Sequence, residues 1–275
     1  MVQAKVIACA AALLALAACS SSPEFTWESI PVNGHITGVT AVAGDNVREA
    51  LGVVDSVYTA PSGRVFACGS TPAVARTLIA VQPSLAYLKE VIGYAPEAMP
   101  KFKPESPLSN WAADAALKGC EALCGKHVDM AVINFGGIRV DLLVGKVLLD
   151  DIVSMFPFRN YYAVVELRGK DVRKLLEHLA GAVQPVSGVR MVIKDRKLVS
   201  AELGGKPIDD NRTYRVGTLD FLLDGGDGLY VARNAKSLVV GDEKVSEWMT
   251  AYVRNLTASG EAVRGKVDGR VVIEK

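Results

Sequence analysis

Short apolar runs of strand length interleave along this 275-residue chain with stretches of helical periodicity, and no other feature constrains the fold as tightly. Val128 to Ile133 is apolar except for Asp129, which suits a largely buried strand. Lys146 to Leu149, Tyr161 to Leu167, Val189 to Ile193, Leu198 to Leu203, Tyr214 to Thr218 and Arg270 to Ile273 read as further strands, separated by Gly, Asn and Asp turns. Helical spacing covers Ser106 to Cys124, where Leu108, Trp111, Ala112, Ala115 and Ala116 recur, and returns over Lys170 to Ala180 and Glu243 to Leu256. Asp150 and Asp151 start a short helix through Met155. Thr71 is a candidate N-cap for a helix from Pro72 to Val91, which Pro83 should break or restart, and Tyr94 to Lys103 reads as a proline-containing connector. Residues 24–70 mix β-rich runs, such as Gly38 to Val42, with Gly, Pro, Asn and Asp breaks, and read as strands or irregular structure. Strands and helices in no strict alternation, with no internal repeat, predict an α/β (α+β) fold with a mixed sheet and flanking helices.

Charge excludes one class of partner. Lysine and arginine total 31 against 30 acidic residues, so there is no basic field for a nucleic-acid polymer. The N-terminus points to export. Lys5 precedes the apolar run Val6 to Ala18, too short for a bilayer anchor, which ends in Leu16-Ala17-Ala18-Cys19 before Ser20-Ser21-Ser22-Pro23. This pattern resembles the lipobox of bacterial lipoproteins. The resemblance implies a signal peptide over 1–18, acylation of Cys19, a tether over 19–23, and lipid anchoring to the outer membrane on its periplasmic or surface face. An ordinary signal peptide containing Cys19 is the competing reading. Cys68, Cys120 and Cys124 permit one disulfide and one free thiol. With only His127 nearby, Cys120 and Cys124 read as buried thiols or a local disulfide rather than a zinc site.

Three loops gather glycine, aromatic and polar residues at strand ends. Asn134-Phe135-Gly136-Gly137-Ile138-Arg139 combines two glycines with an amide and a guanidinium suited to ring nitrogens, hydroxyls or carboxylates. Phe156-Pro157-Phe158-Arg159-Asn160 holds an aromatic beside proline. Phe221-Leu222-Leu223-Asp224-Gly225-Gly226-Asp227-Gly228 makes a tight turn, without the ligand spacing of a calcium loop. Taken singly, each loop is also consistent with core or turn. Together they have the parts to sandwich a planar base between two phenyl rings and to accept ribose hydroxyls on a carboxylate.

In this order the three motifs resemble the C-terminal domain of 5'-nucleotidases. Glu105 to Asn110, Asp114 and Gln184 to Arg190 add to the resemblance, which covers roughly residues 75–273. It implies a domain over 75–275, an N-terminal extension over 24–74, and substrate-binding roles for Asn134, Arg139, Phe158, Asn160, Gly188, Phe221 and Asp227. Two positions depart from the family pattern. Phe135 stands where the family has glycine and is expected to narrow the site or change its specificity. Phe102 falls where the family has arginine, with Lys101 and Lys103 as candidate substitutes. Family enzymes also carry a metallophosphoesterase domain holding two metals. Here the histidines are His35, His127 and His178, none in an Asp-x-His or Asn-His-Glu context, and the stretch before the motifs is too short for that domain. The expectation is a nucleotide- or nucleoside-binding half without a cofactor of its own. Divalent metals would belong to a separately encoded phosphatase. The alternatives are a surface scaffold or adhesin with a degenerate pocket, and a complete hydrolase with an unrecognised site. No Gly-x-Ser-x-Gly elbow or phosphate-binding Walker loop supports the last.

Overall fold

The computed structural model describes residues 46–274; the run Gly38 to Val42 and the lipobox with Cys19 lie outside them. A short helix, α1 (Val47–Leu51), precedes a small antiparallel sheet of β1 (Val53–Val54), β2 (Tyr58–Thr59) and β3 (Val65–Phe66). The next helix, α2 (Thr71–Leu85), takes Ser70 rather than Thr71 as its N-cap. Pro83 is accommodated inside it, and the helix passes into a 3₁₀ turn over Ala86–Lys89. It stops short of Val91 because β4 (Val91–Ala95) pairs antiparallel with β6 (Gly145–Leu148), which gives the start of the expected connector a strand partner.

The longest helix of the described residues, α3 (Pro107–Cys124), is capped reciprocally. Ser109 N–H donates to Ser106 Oγ at 3.1 Å and Ser106 N–H to Ser109 Oγ at 2.8 Å, and Gly125 closes the C-terminus at φ 64°. The chain continues through β5 (Met130–Val132), α4 (Leu149–Met155), β7 (Tyr161–Arg168), α5 (Gly169–Gly181), β8 (Val186–Ser187) and β9 (Val189–Lys194). It ends with β10 (Lys197–Leu203), β11 (Lys206–Pro207), β12 (Thr213–Leu219), β13 (Ser237–Lys244), α6 (Val245–Ala258) and β14 (Val271–Glu274). Strand β13 was not expected. It displaces the start of the last helix from Glu243 to Val245, where Glu247 accepts from the Lys244 N–H at 3.3 Å.

Two main sheets result: a mixed five-stranded one in the order β13-β7-β12-β5-β8, and a four-stranded one in the order β11-β10-β9-β14. The α3 helix covers the five-stranded sheet, and α5 packs on its strands β7 and β12 and against β10 of the other sheet. Small residues set the helix–sheet distance. Ala112, Ala116, Gly119 and Cys120 are buried, and a Cβ on Gly119 would lie 2.5 Å from the Tyr162 ring. The α/β mixed-sheet class is therefore as expected. Cys68, Cys120 and Cys124 are all free thiols, and burial pushes the Cys120 pKa up to about 12.

An ion cluster around the buried Arg270 side chain closes the C-terminal segment onto α3. The Arg270 guanidinium donates to Asp114 at 2.6 and 3.1 Å, to Asp268 at 2.9 and 2.8 Å and to the Val186 carbonyl at 3.0 Å. Asn110 Nδ2 reaches the Lys266 carbonyl at 2.9 Å and Glu105 at 2.7 Å.

Candidate functional site

The register of the five-stranded sheet decides which loops meet. Strand β12 runs parallel to β5, with Gly217 beside Ala131, and antiparallel to β7, with Leu219 beside Tyr162. The C-terminal ends of β5 and β12 and the start of β7 therefore share one end of the sheet. All three candidate loops sit there: 134–139 after β5, 156–160 before β7, and 221–228 after β12.

Bonds then tie the loops to one another. Asn134 Nδ2 donates to Asp227 at 2.7 Å, joining the first loop to the third. The Arg139 N–H donates to the Met155 carbonyl at 3.0 Å, and the Arg139 guanidinium lies 5.8 Å from the Phe158 ring centroid, joining the first to the second. The Asp220 carboxylate accepts from the Tyr161 and Phe221 N–H groups, both at 2.9 Å, joining the second to the third. A small, shallow cleft lies among Asn134, Gly137, Phe156, Phe158, Asn160 and Tyr162. Phe221 does not line it, and its loop is held to the cleft through Asp220 and the Asn134–Asp227 bond. The Phe158 and Phe221 rings are 46% and 47% exposed, so neither is sealed in the core.

The polar groups are poised unequally. Asn134 is only 4% exposed, and its Oδ1 is buried without a hydrogen-bond partner. An unmet buried acceptor costs about 1–3 kcal/mol, which a ligand donor would recover. Glycines make room for this arrangement: a Cβ on Gly137 would come 2.7 Å from Asn134 Oδ1, and one on Gly226 would come 2.0 Å from the Phe221 carbonyl. Asn160 lines the cleft, and its backbone carbonyl accepts from the Val245 N–H at 2.9 Å. Exposed Asp227 adopts a left-handed φ of 49° in the turn.

Beneath the first loop, Phe135 is buried at 8% exposure and does not line the cleft. The expectation that its ring narrows the site is thus corrected. The ring lies under Lys103 Nζ at 5.5 Å, and its N–H donates to Gln184 Oε1 at 2.8 Å. Lys101 Nζ donates to the Ile138 carbonyl and, at 3.4 Å, to the Phe135 carbonyl, while its N–H donates to Asp141 at 2.9 Å. Burial lowers the Lys101 pKa, with Asp141 opposing and Arg139 adding to the shift. Both lysines are thus engaged with the loop, and Phe102 is exposed.

Of the seven expected binding residues, Gly188 is not brought to this end of the sheet. It lies at the start of β5, where a Cβ would come 2.4 Å from the Asp129 carbonyl, and it lines a separate cleft with Arg190, Asp268 and Arg270. Its glycine serves close strand approach. Sequence reasoning missed Asp220 as the link between loops.

The donor set for a dimetal centre does not fit. Among the described residues no group of three or more His, Cys, Asp or Glu side chains is placed to hold a metal ion. His127 pairs with Glu121 at 2.9 Å, and His178 stands on α5.

Comparison with known proteins follows the same outline. The 5'-nucleotidase C-terminal domain family matches residues 88–233. Protein UshA of Escherichia coli is 32% identical over 132 residues, which make up 46% of this chain and 24% of UshA. The 5'-nucleotidase precursor of Thermus thermophilus superposes with a TM-score of 0.63 at 25% identity, over 74% of this chain and 43% of that one. The sulfate thiohydrolase SoxB of the same organism shares the fold, with a TM-score of 0.56 at 17% identity over 74% of this chain and 38% of its own. The chain thus spans less than half of these relatives. The similarity supports a nucleotide-related role, and the match over 88–233 shows that the chain belongs to the 5'-nucleotidase C-terminal domain family.

Proposed function

We propose that this domain binds a nucleotide or nucleoside with the base stacked between Phe158 and Phe221. In this reading it is the recognition half of a split 5'-nucleotidase in nucleotide catabolism, and the metallophosphatase is a separate chain that carries the divalent metals. The observation that carries the reading is the set of bonds drawing the three loops together around the cleft, with two half-exposed phenyl rings and a buried amide oxygen lacking a donor. Stacking on an aromatic ring contributes about 1–3 kcal/mol per base and tolerates different bases. Asn134 Oδ1 and Asn160 are suited to the polar edge of the ligand, Arg139 to a hydroxyl or carboxylate-like oxygen, and Asp227 to ribose hydroxyls. The chain is exported and lipid-anchored through Cys19 to the outer membrane in the same reading, on the strength of its N-terminal pattern.

Calorimetry with nucleosides and nucleotides tests the site. Saturable binding is expected for the native chain, weakened roughly tenfold or more in Phe158→Ala and in Phe221→Ala. Both variants should keep the native melting temperature, because neither ring is buried. No heat with any nucleoside or nucleotide would instead favour a scaffold or adhesin. Phosphate release from AMP by the chain alone, at enzyme-like rates with Mn²⁺, Co²⁺ or Zn²⁺, would refute the split-enzyme reading.

A further inference from the structure

Strand β13 ends the five-stranded sheet, and among the described residues no strand pairs with its outer edge. Leu238, Val239 and Val240 are 48%, 44% and 45% exposed, which leaves an apolar strand open on both faces. An edge of this kind is a template for another strand, and proteins usually guard it with a charge, a proline or shortness. Two of the other ends of the main sheets are guarded. β8 is two residues long, and β11 is Lys206–Pro207. β14 also leaves Val272 and Ile273 exposed, but its apolar run is only Val271 to Ile273, between the charged Arg270 and Glu274. From Ser237 to Gly241, β13 has neither a charge nor a proline.

The charges that bracket this stretch specify what fits it. Lys236 precedes it and Asp242 follows it. If two copies pair antiparallel about a two-fold axis through Val239, Leu238 faces Val240 of the partner subunit and Ser237 faces Gly241 of the partner subunit. Lys236 then faces Asp242 of the partner subunit, and symmetry repeats the match at the other end. Parallel pairing would set lysine beside lysine. Both groups are available: the Lys236 ammonium bonds the neutral Thr213 hydroxyl at 2.8 Å, and Asp242 has no ion pair among the described residues. A register shift between Val240 and Lys244 also frees Asp242 from β7.

We propose that β13 is a self-pairing edge, through which a second copy of this chain docks antiparallel about Val239 and joins two five-stranded sheets into one of ten. So short a ribbon buries far less than the roughly 1,600 Å² of a standard interface, so the dimer is weak and concentration-dependent. The proposal is independent of the nucleotide reading. Disulfide trapping of the full-length chain, in a Cys68→Ser background, tests it. Val239→Cys faces its own copy across the axis and should form a covalent dimer under mild oxidation several-fold faster than Leu238→Cys, whose equivalent in the partner subunit is offset by two residues. Sedimentation supplies the second arm. Lys236→Glu or Asp242→Lys alone should weaken dimerisation roughly tenfold, and the two together should restore it. Equal trapping at both positions, no trapped dimer, or a charge swap that fails to rescue would overturn the proposal.

Discussion

The Lys101 ammonium is directed at two backbone carbonyls under the first loop rather than into the cleft. Replacing it strips donors from partly buried acceptors, which cost about 1–3 kcal/mol when left unmet. Lys101→Met should therefore lower unfolding stability by that order in urea titration and weaken nucleoside binding by loosening residues 134–139. An unchanged affinity would show that the loop holds its shape without the clamp. Lys103, whose contact is with a ring face, should cost about 0.5–1 kcal/mol when truncated. Residues whose side chains suit a ligand, such as Asn134, Phe158 and Asp227, could be picked out in the sequence as candidates, and the structure brings their loops to one end of the sheet. Lys101, Gln184 and Asp220 act on backbone groups of other segments, and no local pattern names the carbonyl or N–H that each will meet. Gly188 shows the reverse ambiguity. A glycine that admits a ligand and one that admits a neighbouring strand look the same until the chain is folded.

Among the elements, strand ends carry the site, and Asp220 is the joint between two of them. Asp220→Ala would leave the Tyr161 and Phe221 N–H groups without their acceptor, losing hydrogen bonds to a charged group worth about 1.5–3 kcal/mol. The expected result is a lower melting temperature together with weaker nucleoside binding. Affinity falling with no change in melting temperature would instead mean that Asp220 touches ligand. Buried elements were readable because periodicity reports burial, as in α3 and β7. β13 was not, because both of its faces are exposed and the alternation that marks a strand is missing. β4 was hidden in a connector for a related cause: its partner β6 lies some fifty residues away, and pairing rather than propensity makes it a strand.

At the scale of the whole molecule, one ion cluster links α3, β8 and the C-terminal segment. Hydrogen bonds from Arg270 hold the Asp268 pKa below the ordinary value of 3.8. A carboxylate depressed in this way stabilises the fold fully above its unfolded pKa, and that contribution is lost as pH falls through the folded one. Urea midpoints should therefore drop as pH falls below about 4, and Asp268→Asn should remove that part of the slope while lowering stability at neutral pH. An identical acid profile in the variant would place the acid sensitivity elsewhere. Members of this fold include a sulfate thiohydrolase, so architecture alone does not name a ligand, and the loop chemistry must. The same cluster bears on how the protein can be handled. Clipping the chain ahead of Arg270 removes the guanidinium from Asp114 and Asp268 and takes β14, with buried Val271, from the edge of β9, so protease trimming from that end should destabilise the molecule rather than merely shorten it. Purification handles and fusion partners therefore belong beyond the last strand, never in place of it.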